Sequence, residues 1–275
     1  MSYKEYNCVL TKKLFGTDKP VIGMLHLLAM PTDPKYDPDG GMKAVIERAR
    51  KDLHALQNGG IDGILFCNEY SIPYTDEVRP VTLACMARII GELRPEIKVP
   101  FGVDVATDPY KVFDLAAAVE ADFVRETLCG AYAGDYGVQS YKMGEIERHR
   151  VAVGCKNVYT LATLVPEGAR QIAPRDIEEV AKTVSSSLEP SALLVYGIAA
   201  GRAIDDTMIS RAKTATDIPV FASNGVKADT VVDTLTIADG CVVGTWLKVD
   251  GKFYNPVDES RVKLLMDKAK KFRGQ

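Results

Sequence analysis

The sequence predicts an α/β fold, a single (β/α)8 barrel with a parallel eight-stranded core, and three observations predict it. Short β-branched runs alternate with longer amphipathic segments along the chain, the rhythm of parallel strands joined by outer helices. Eight such units can be counted, whereas a doubly wound open sheet needs about five or six strands and a reversal point. The last two units end in glycine turns, Ser223-Asn224-Gly225 and Gly244-Thr245, spaced by a helical segment, which is how such barrels present backbone N–H groups to a phosphate.

Taken in order, strands are expected at Val21 to Leu25, Gly63 to Phe66, Phe101 to Val105, Phe123 to Thr127, Val158 to Ala162, Ala192 to Tyr196, Val220 to Ala222 and Gly240 to Val243. Helices are expected between them, at Met42 to Asn58, Val81 to Leu93, Pro109 to Val119, Lys142 to Val153, Asp176 to Ser186, Asp205 to Thr214, Ala228 to Ile237 and Glu259 to Phe272. Asn58-Gly59-Gly60 supplies a left-handed C-cap, Asp258 an N-cap, and Lys268 to Lys271 cations against the last helix dipole. One domain over residues 1–275 is expected, because single barrels run to roughly 250 residues, with a short lead-in over 1–18. Three connections are long, Leu27 to Gly41, Asn68 to Pro80 and Leu128 to Tyr141, and all follow strands, so they gather at the C-terminal face; Gly130 to Gly137 is a candidate lid.

With 47% hydrophobic and 26% charged residues, the chain has material for a large core and reads as an ordered globular protein. A net charge of −3 argues against broad contact with nucleic acid or anionic membranes, so small partners are expected. The six cysteines are scattered singly and read as reduced; no apolar stretch approaches the ~20 residues of a membrane span, and a cytoplasmic location is expected. A homo-oligomer is expected from the architecture alone.

Phosphate capture is assigned to Ser223, Asn224, Gly225, Gly244 and Thr245, with helix dipoles assisting. Lys248 can add charge, or be turned into solvent if Val249 to Phe253 forms a hairpin. On the far side, His26 closes strand 1 with a pKa near neutrality, Asn68 and Glu69 follow strand 2, and Asp104 lies in a buried strand where an unpaired charge is costly. Of Arg125 and Glu126, strand alternation lets one face the barrel mouth: Arg125 to bind an anion, or Glu126 to act as acid or base. The catalytic candidates are thus His26, Asn68, Asp104 and Glu126, with Arg125 and Tyr196 as substrate contacts. No metal ligands are assigned, since H-x-H and H-E-x-x-H spacings are absent, although His26 and Asp104 could join a divalent site; no other cofactor is implied. Strands 5 and 6 offer no lysine for a Schiff base.

These residues resemble the BtpA/SgcQ family, most specifically through Ala238-Asp239-Gly240 to Gly244-Thr245-Trp246-Leu247-Lys248, Asp250-Gly251, Pro256 to Asp258 and Arg261-Val262. Gly23 to Leu27, Asn68 with Pro73, Arg125, Gly130-Ala131, Asp135 with Gly137 and Ser223 to Val226 extend the resemblance over most of the chain. It implies a phosphate-binding barrel and brings no settled reaction. The chain departs from the family where members often read Glu-Asn after strand 2, having Cys67-Asn68, and where strand 5 often carries a Lys-His pair, having Thr160 to Thr163. The function expected is an enzyme on a phosphorylated sugar or sugar-derived metabolite, by acid/base isomerisation, epimerisation or C–C or C–O cleavage. The alternatives are a non-catalytic metabolite-binding assembly or regulatory factor and a metal-assisted phosphoester or nucleoside hydrolase.

Overall fold

A computed structural model describes residues 3–196 and 206–275. Eight parallel strands close a barrel: β1 (Val21–His26), β2 (Gly63–Cys67), β3 (Phe101–Asp104), β4 (Phe123–Thr127), β7 (Tyr159–Thr163), β9 (Ala192–Tyr196), β10 (Val220–Ser223) and β11 (Cys241–Val243), in the closed order β1-β11-β10-β9-β7-β4-β3-β2. Three further strands, β5 (Gly130–Gly134), β6 (Gly137–Tyr141) and β8 (Ala169–Gln171), form a separate sheet in the order β6-β5-β8. Before and between the barrel strands run α1 (Tyr3–Phe15), α2 (Gly41–Asn58), α3 (Pro80–Leu93), α4 (Pro109–Val119), α5 (Met143–Ala152), α6 (Ile177–Leu188), α7 (Asp206–Thr214) and α8 (Val231–Ile237), with α9 (Glu259–Phe272) closing the ring. The expected helix start at Asp205 lies outside the described residues.

Alternation along each strand divides the core in two. Ile22, Met24, Leu65, Cys67, Phe123, Leu161, Leu194, Phe221 and Val242 fill the barrel, while the intervening residues pack outward against the helices. Packing inside is close: a Cβ on Gly102 would fall 2.3 Å from the Phe123 ring, so only glycine leaves that ring its space. The predicted caps are present, since Gly60 takes φ +84° after α2 and Asp258 Oδ1 accepts from Ser260 N at 2.9 Å ahead of α9.

Two segments differ from expectation. The lead-in is largely helical: α1 seals the N-terminal end of the barrel with Phe15, whose ring meets Phe123 at 5.4 Å and Tyr159 at 5.8 Å, and Thr11 Oγ1 lies 2.7 Å from Tyr159 Oη. The glycine-rich lid segment is a β-hairpin, and β8, supplied by the connection after β7, pairs with it through Tyr132↔Gln171 and Gly134↔Ala169. Gly130 and Gly137, at φ +97° and +92°, serve the hairpin's start and its turn.

Candidate active site

The C-terminal ends of the strands and the three-stranded sheet enclose one cavity of about 830 Å³. β1 carries His26 to it on the same inward face as Ile22 and Met24. The imidazole is buried, meets Tyr70 edge-on at 5.8 Å and Phe253 at 5.7 Å, and has no hydrogen-bond partner among the described residues on either ring nitrogen. Burial, reinforced by the positive charges of Lys248 and Arg125, holds its pKa well below the ordinary value, so the free base is favoured. A Cβ on Gly244 would stand 3.0 Å from His26 Nε2; the glycine lets backbone lie against the ring.

β3 and β4 carry the charged centre. Asp104 accepts directly from Arg125 Nη2, and both are buried. Burial pushes the Asp104 carboxyl up while the guanidinium pulls it back. Burial also works against the charge on Arg125, but Asp104 and its neighbours outweigh it and hold Arg125 protonated. The guanidinium carbon lies 5.7 Å from the Tyr196 ring, and Nη1 3.5 Å from Met24 Sδ. Arg125 shares the inward face of Phe123, whereas Glu126 points to the other side of β4, yet both line the cavity. The expectation that one of the pair would be excluded is corrected: the β5–β6 hairpin, with Gln139 and Tyr141, extends the wall past the strand ends and takes in the outer face of β4. Glu126 Oε1 accepts from Thr127 N at 2.6 Å and Oε2 has no partner among the described residues; burial, then the charge of Asp104, drives its pKa well up, favouring the carboxylic acid.

Opposite stands the double glycine turn. Asn224 and Gly225 are both left-handed, φ +71° and +67°, and line the cavity with Val226, Lys227, Gly244, Thr245 and Trp246. Asn224 Nδ2 donates to Glu167 Oε2 at 2.9 Å. The expected help from helix dipoles is not delivered: α8 begins at Val231 and spans 7 residues, and β11 is followed by a 3-residue 3-10 turn, Thr245–Leu247. Two side chains stand at this end instead, Lys227 and Arg261, the latter donating to Trp246 O at 2.7 Å and lying 4.3 Å from the Trp246 ring.

Three of the sequence-predicted residues are not brought to the cavity wall. Asn68 Oδ1 accepts from Ala106 N at 2.8 Å and faces a neighbouring cavity of about 220 Å³; Glu69 takes its place at the mouth, accepting from Cys67 Sγ at 3.3 Å. Ser223 is buried behind the wall, its Oγ without a partner among the described residues. Lys248 is fully buried, neither in solvent nor on the wall: it donates to Tyr70 Oη, lies 4.8 Å from the Tyr70 ring and 5.7 Å from that of Phe253, and burial pulls its pKa down to about 8. The Val249 to Phe253 segment is a 3-10 turn, Val249–Gly251, closed by a single antiparallel bridge between Lys248 and Val257, and this geometry turns the lysine inward.

Sequence reasoning missed Lys227, Glu167, Tyr136 and Tyr74 as cavity residues. Glu167 had no signal, because β8 was read as part of an ordinary connection; Lys227 follows the Gly225 turn by two residues and was legible there. Among the described residues no group of three or more His, Cys, Asp or Glu is placed to hold a metal ion, and no helix is long and apolar enough to cross a membrane.

Known proteins of similar architecture include thiamine phosphate pyrophosphorylase from Pyrococcus furiosus, with TM-score 0.58 and 17% identity over 96% of this chain and 98% of that one. N-(5'-phosphoribosyl)anthranilate isomerase from the same organism aligns with TM-score 0.54 and 12% identity, over 92% and 99% of the two chains. Sequence relatives are nearer. The putative sgc region protein SgcQ of Escherichia coli K12 is 47% identical over 263 residues, 95% of this chain and 98% of that protein. The photosystem I biogenesis protein BtpA of Synechocystis is 30% identical, over 92% of this chain and 88% of that protein. The BtpA family model matches residues 17–271, so the chain, a closed (β/α)8 barrel with its strand ends gathered around one polar cavity, belongs to the BtpA family.

Proposed function

We propose that the protein is an enzyme that binds a phosphorylated sugar or sugar-derived metabolite and rearranges or cleaves its skeleton by proton transfer. The observation that carries this reading is the set of buried polar atoms without partners among the described residues, His26 Nδ1 and Nε2 and Glu126 Oε2, on residues that line one cavity. Leaving a buried polar group unsatisfied costs about 1–3 kcal/mol, a cost that a ligand's hydroxyl or carbonyl groups would remove. His26, favoured as the free base, is suited to accept a proton from carbon or oxygen, and Glu126, favoured as the acid, to donate one. Arg125, oriented by Asp104, is suited to stabilise an oxyanion developing between them, with Tyr196 behind it. The phosphate is assigned to the backbone at Gly225, Gly244 and Thr245 with Lys227 and Arg261, and anchoring by a remote phosphate can contribute several kcal/mol to the barrier. Two architectural neighbours are named for phosphorylated compounds, which supports a phosphorylated ligand.

The name of the Synechocystis relative favours a second reading, a metabolite-binding assembly or regulatory factor using the same cavity without turnover. One experiment separates the two. A thermal-shift panel of sugar phosphates, nucleotides and divalent ions identifies binders, and proton NMR in deuterated buffer then follows exchange or conversion of each binder. The enzyme reading expects turnover that His26→Ala and Glu126→Gln abolish while binding persists; full activity in both variants, or binding with neither exchange nor conversion across the panel, overturns it.

A further inference from the structure

The charges around the cavity are sorted by side. At the β10–β11 end stand Lys227 and Arg261; the acid there, Asp250, is exposed and lies 3.9 Å from Lys252 Nζ. On the facing side, among the described residues, the wall carries Glu69, Asp104, Glu126 and Asp135 against one cation, Arg125, which Asp104 already engages, while Glu167 stands between the two sides, held to Asn224 Nδ2 at 2.9 Å. Among the described residues the facing wall therefore carries more acidic than basic side chains.

Two of these acids are built into the wall. Glu167 Oε2 is fixed by Asn224 Nδ2 at 2.9 Å, and Glu69 Oε2 by Cys67 Sγ at 3.3 Å. A carboxylate has about four acceptor positions, so each retains capacity for hydroxyl donors. Their neighbourhood is aromatic: Tyr74 and Tyr136 meet at 5.2 Å in an edge-on pair, and Tyr196 completes the side, giving apolar faces for the C–H surface of a polyol. Burial raises the Glu69 carboxyl, Arg125 opposes the rise, and the charges of Asp104 and Glu167 add to it, so a further negative charge placed here meets carboxyl groups that already oppose one another.

Resting on the phosphate reading above, we propose that the ligand carries its charge at one end only, with an uncharged, hydroxyl-rich skeleton at the other, and that Glu69 and Glu167 read those hydroxyls and reject a second anionic group. A carboxylate at that end would lie against these acids, and like charges brought together repel. The protein therefore distinguishes sugar monophosphates from sugar-acid monophosphates of the same length.

The test is isothermal titration with inorganic phosphate and with aldose monophosphates of four to six carbons, each paired with its aldonate phosphate, on the wild type and on Glu69→Gln and Glu167→Gln. The expected result is at least ~10-fold preference for one or more aldose phosphates over the matched aldonate, narrowed at least ~3-fold in each variant. Because the readout is a ratio within one protein, partial loss of folded material does not distort it. Equal affinity for the pair in the wild type, or an unchanged ratio in both variants, overturns this inference while leaving phosphate binding intact. If neither inorganic phosphate nor any monophosphate binds, the phosphate reading itself fails, and this inference fails with it.

Discussion

Asp104→Asn tests the charged centre most directly. The side chains of Asp104 and Arg125 are 3% and 9% exposed, and the contact between them is direct. Asparagine keeps the shape and one acceptor but leaves the guanidinium buried without its counter-charge. Breaking a buried pair by removing one partner costs about 3–5 kcal/mol. The cavity lets ligand or solvent approach Arg125, which favours the lower end of that range. With an unfolding entropy of about 2.1 cal/mol/K per residue, a loss of about 3 kcal/mol lowers the Tm of a chain of this length by about 5 °C. Urea unfolding at pH 8 measures the loss. Arg125→Met added to Asp104→Asn removes the orphaned charge and should restore at least half of it, the signature of an uncompensated cation. The reasoning is refuted if Asp104→Asn costs less than about 0.5 kcal/mol, or if the double variant is no more stable than the single one.

Lys248 gives a pH prediction. Its pKa falls from 10.5 unfolded to about 8 folded, so between those values the unfolded chain binds more protons and stability rises with pH, by up to about 3 kcal/mol across the window. Lys248→Met should remove that rise, and the difference between the two proteins' urea midpoints from pH 7.5 to 10.5 reads it; parallel curves would refute the assignment. Gly102→Ala should overpack the barrel against Phe123 and cost at least ~2 kcal/mol by chemical denaturation, with Gly102→Ala/Phe123→Leu recovering much of it; a neutral single substitution would contradict the packing.

Much of the barrel was legible, because strand and helix periods are local and the alternation of buried runs with amphipathic ones survives in the sequence. The strands from Phe123 to Thr127 and from Ala192 to Tyr196 match the expected spans, and the Asp258 cap lies where its spacing puts it. The N-terminal helix was missed because its stripe becomes interpretable once Phe15 is seen under Phe123 and Tyr159. Lys248 was misjudged for a related reason: a lysine after a turn reads as solvated, and burial needs Tyr70 and Phe253 to arrive from distant parts of the chain.

By itself the sequence determined the fold class, the end of the barrel where the cavity opens, and the glycine turns at Gly225 and Gly244, since each follows from a period or a turn within about ten residues. The tertiary structure alone decided what the cavity wall is made of. The hairpin and β8 bring both faces of β4 to the cavity and set Glu167 against Asn224, while the bond from Ala106 N holds Asn68 away from the wall and leaves Glu69 on it. Those juxtapositions join residues tens of positions apart, and they create the burial and the opposing charges that set His26, Arg125 and Glu126 apart from ordinary side chains.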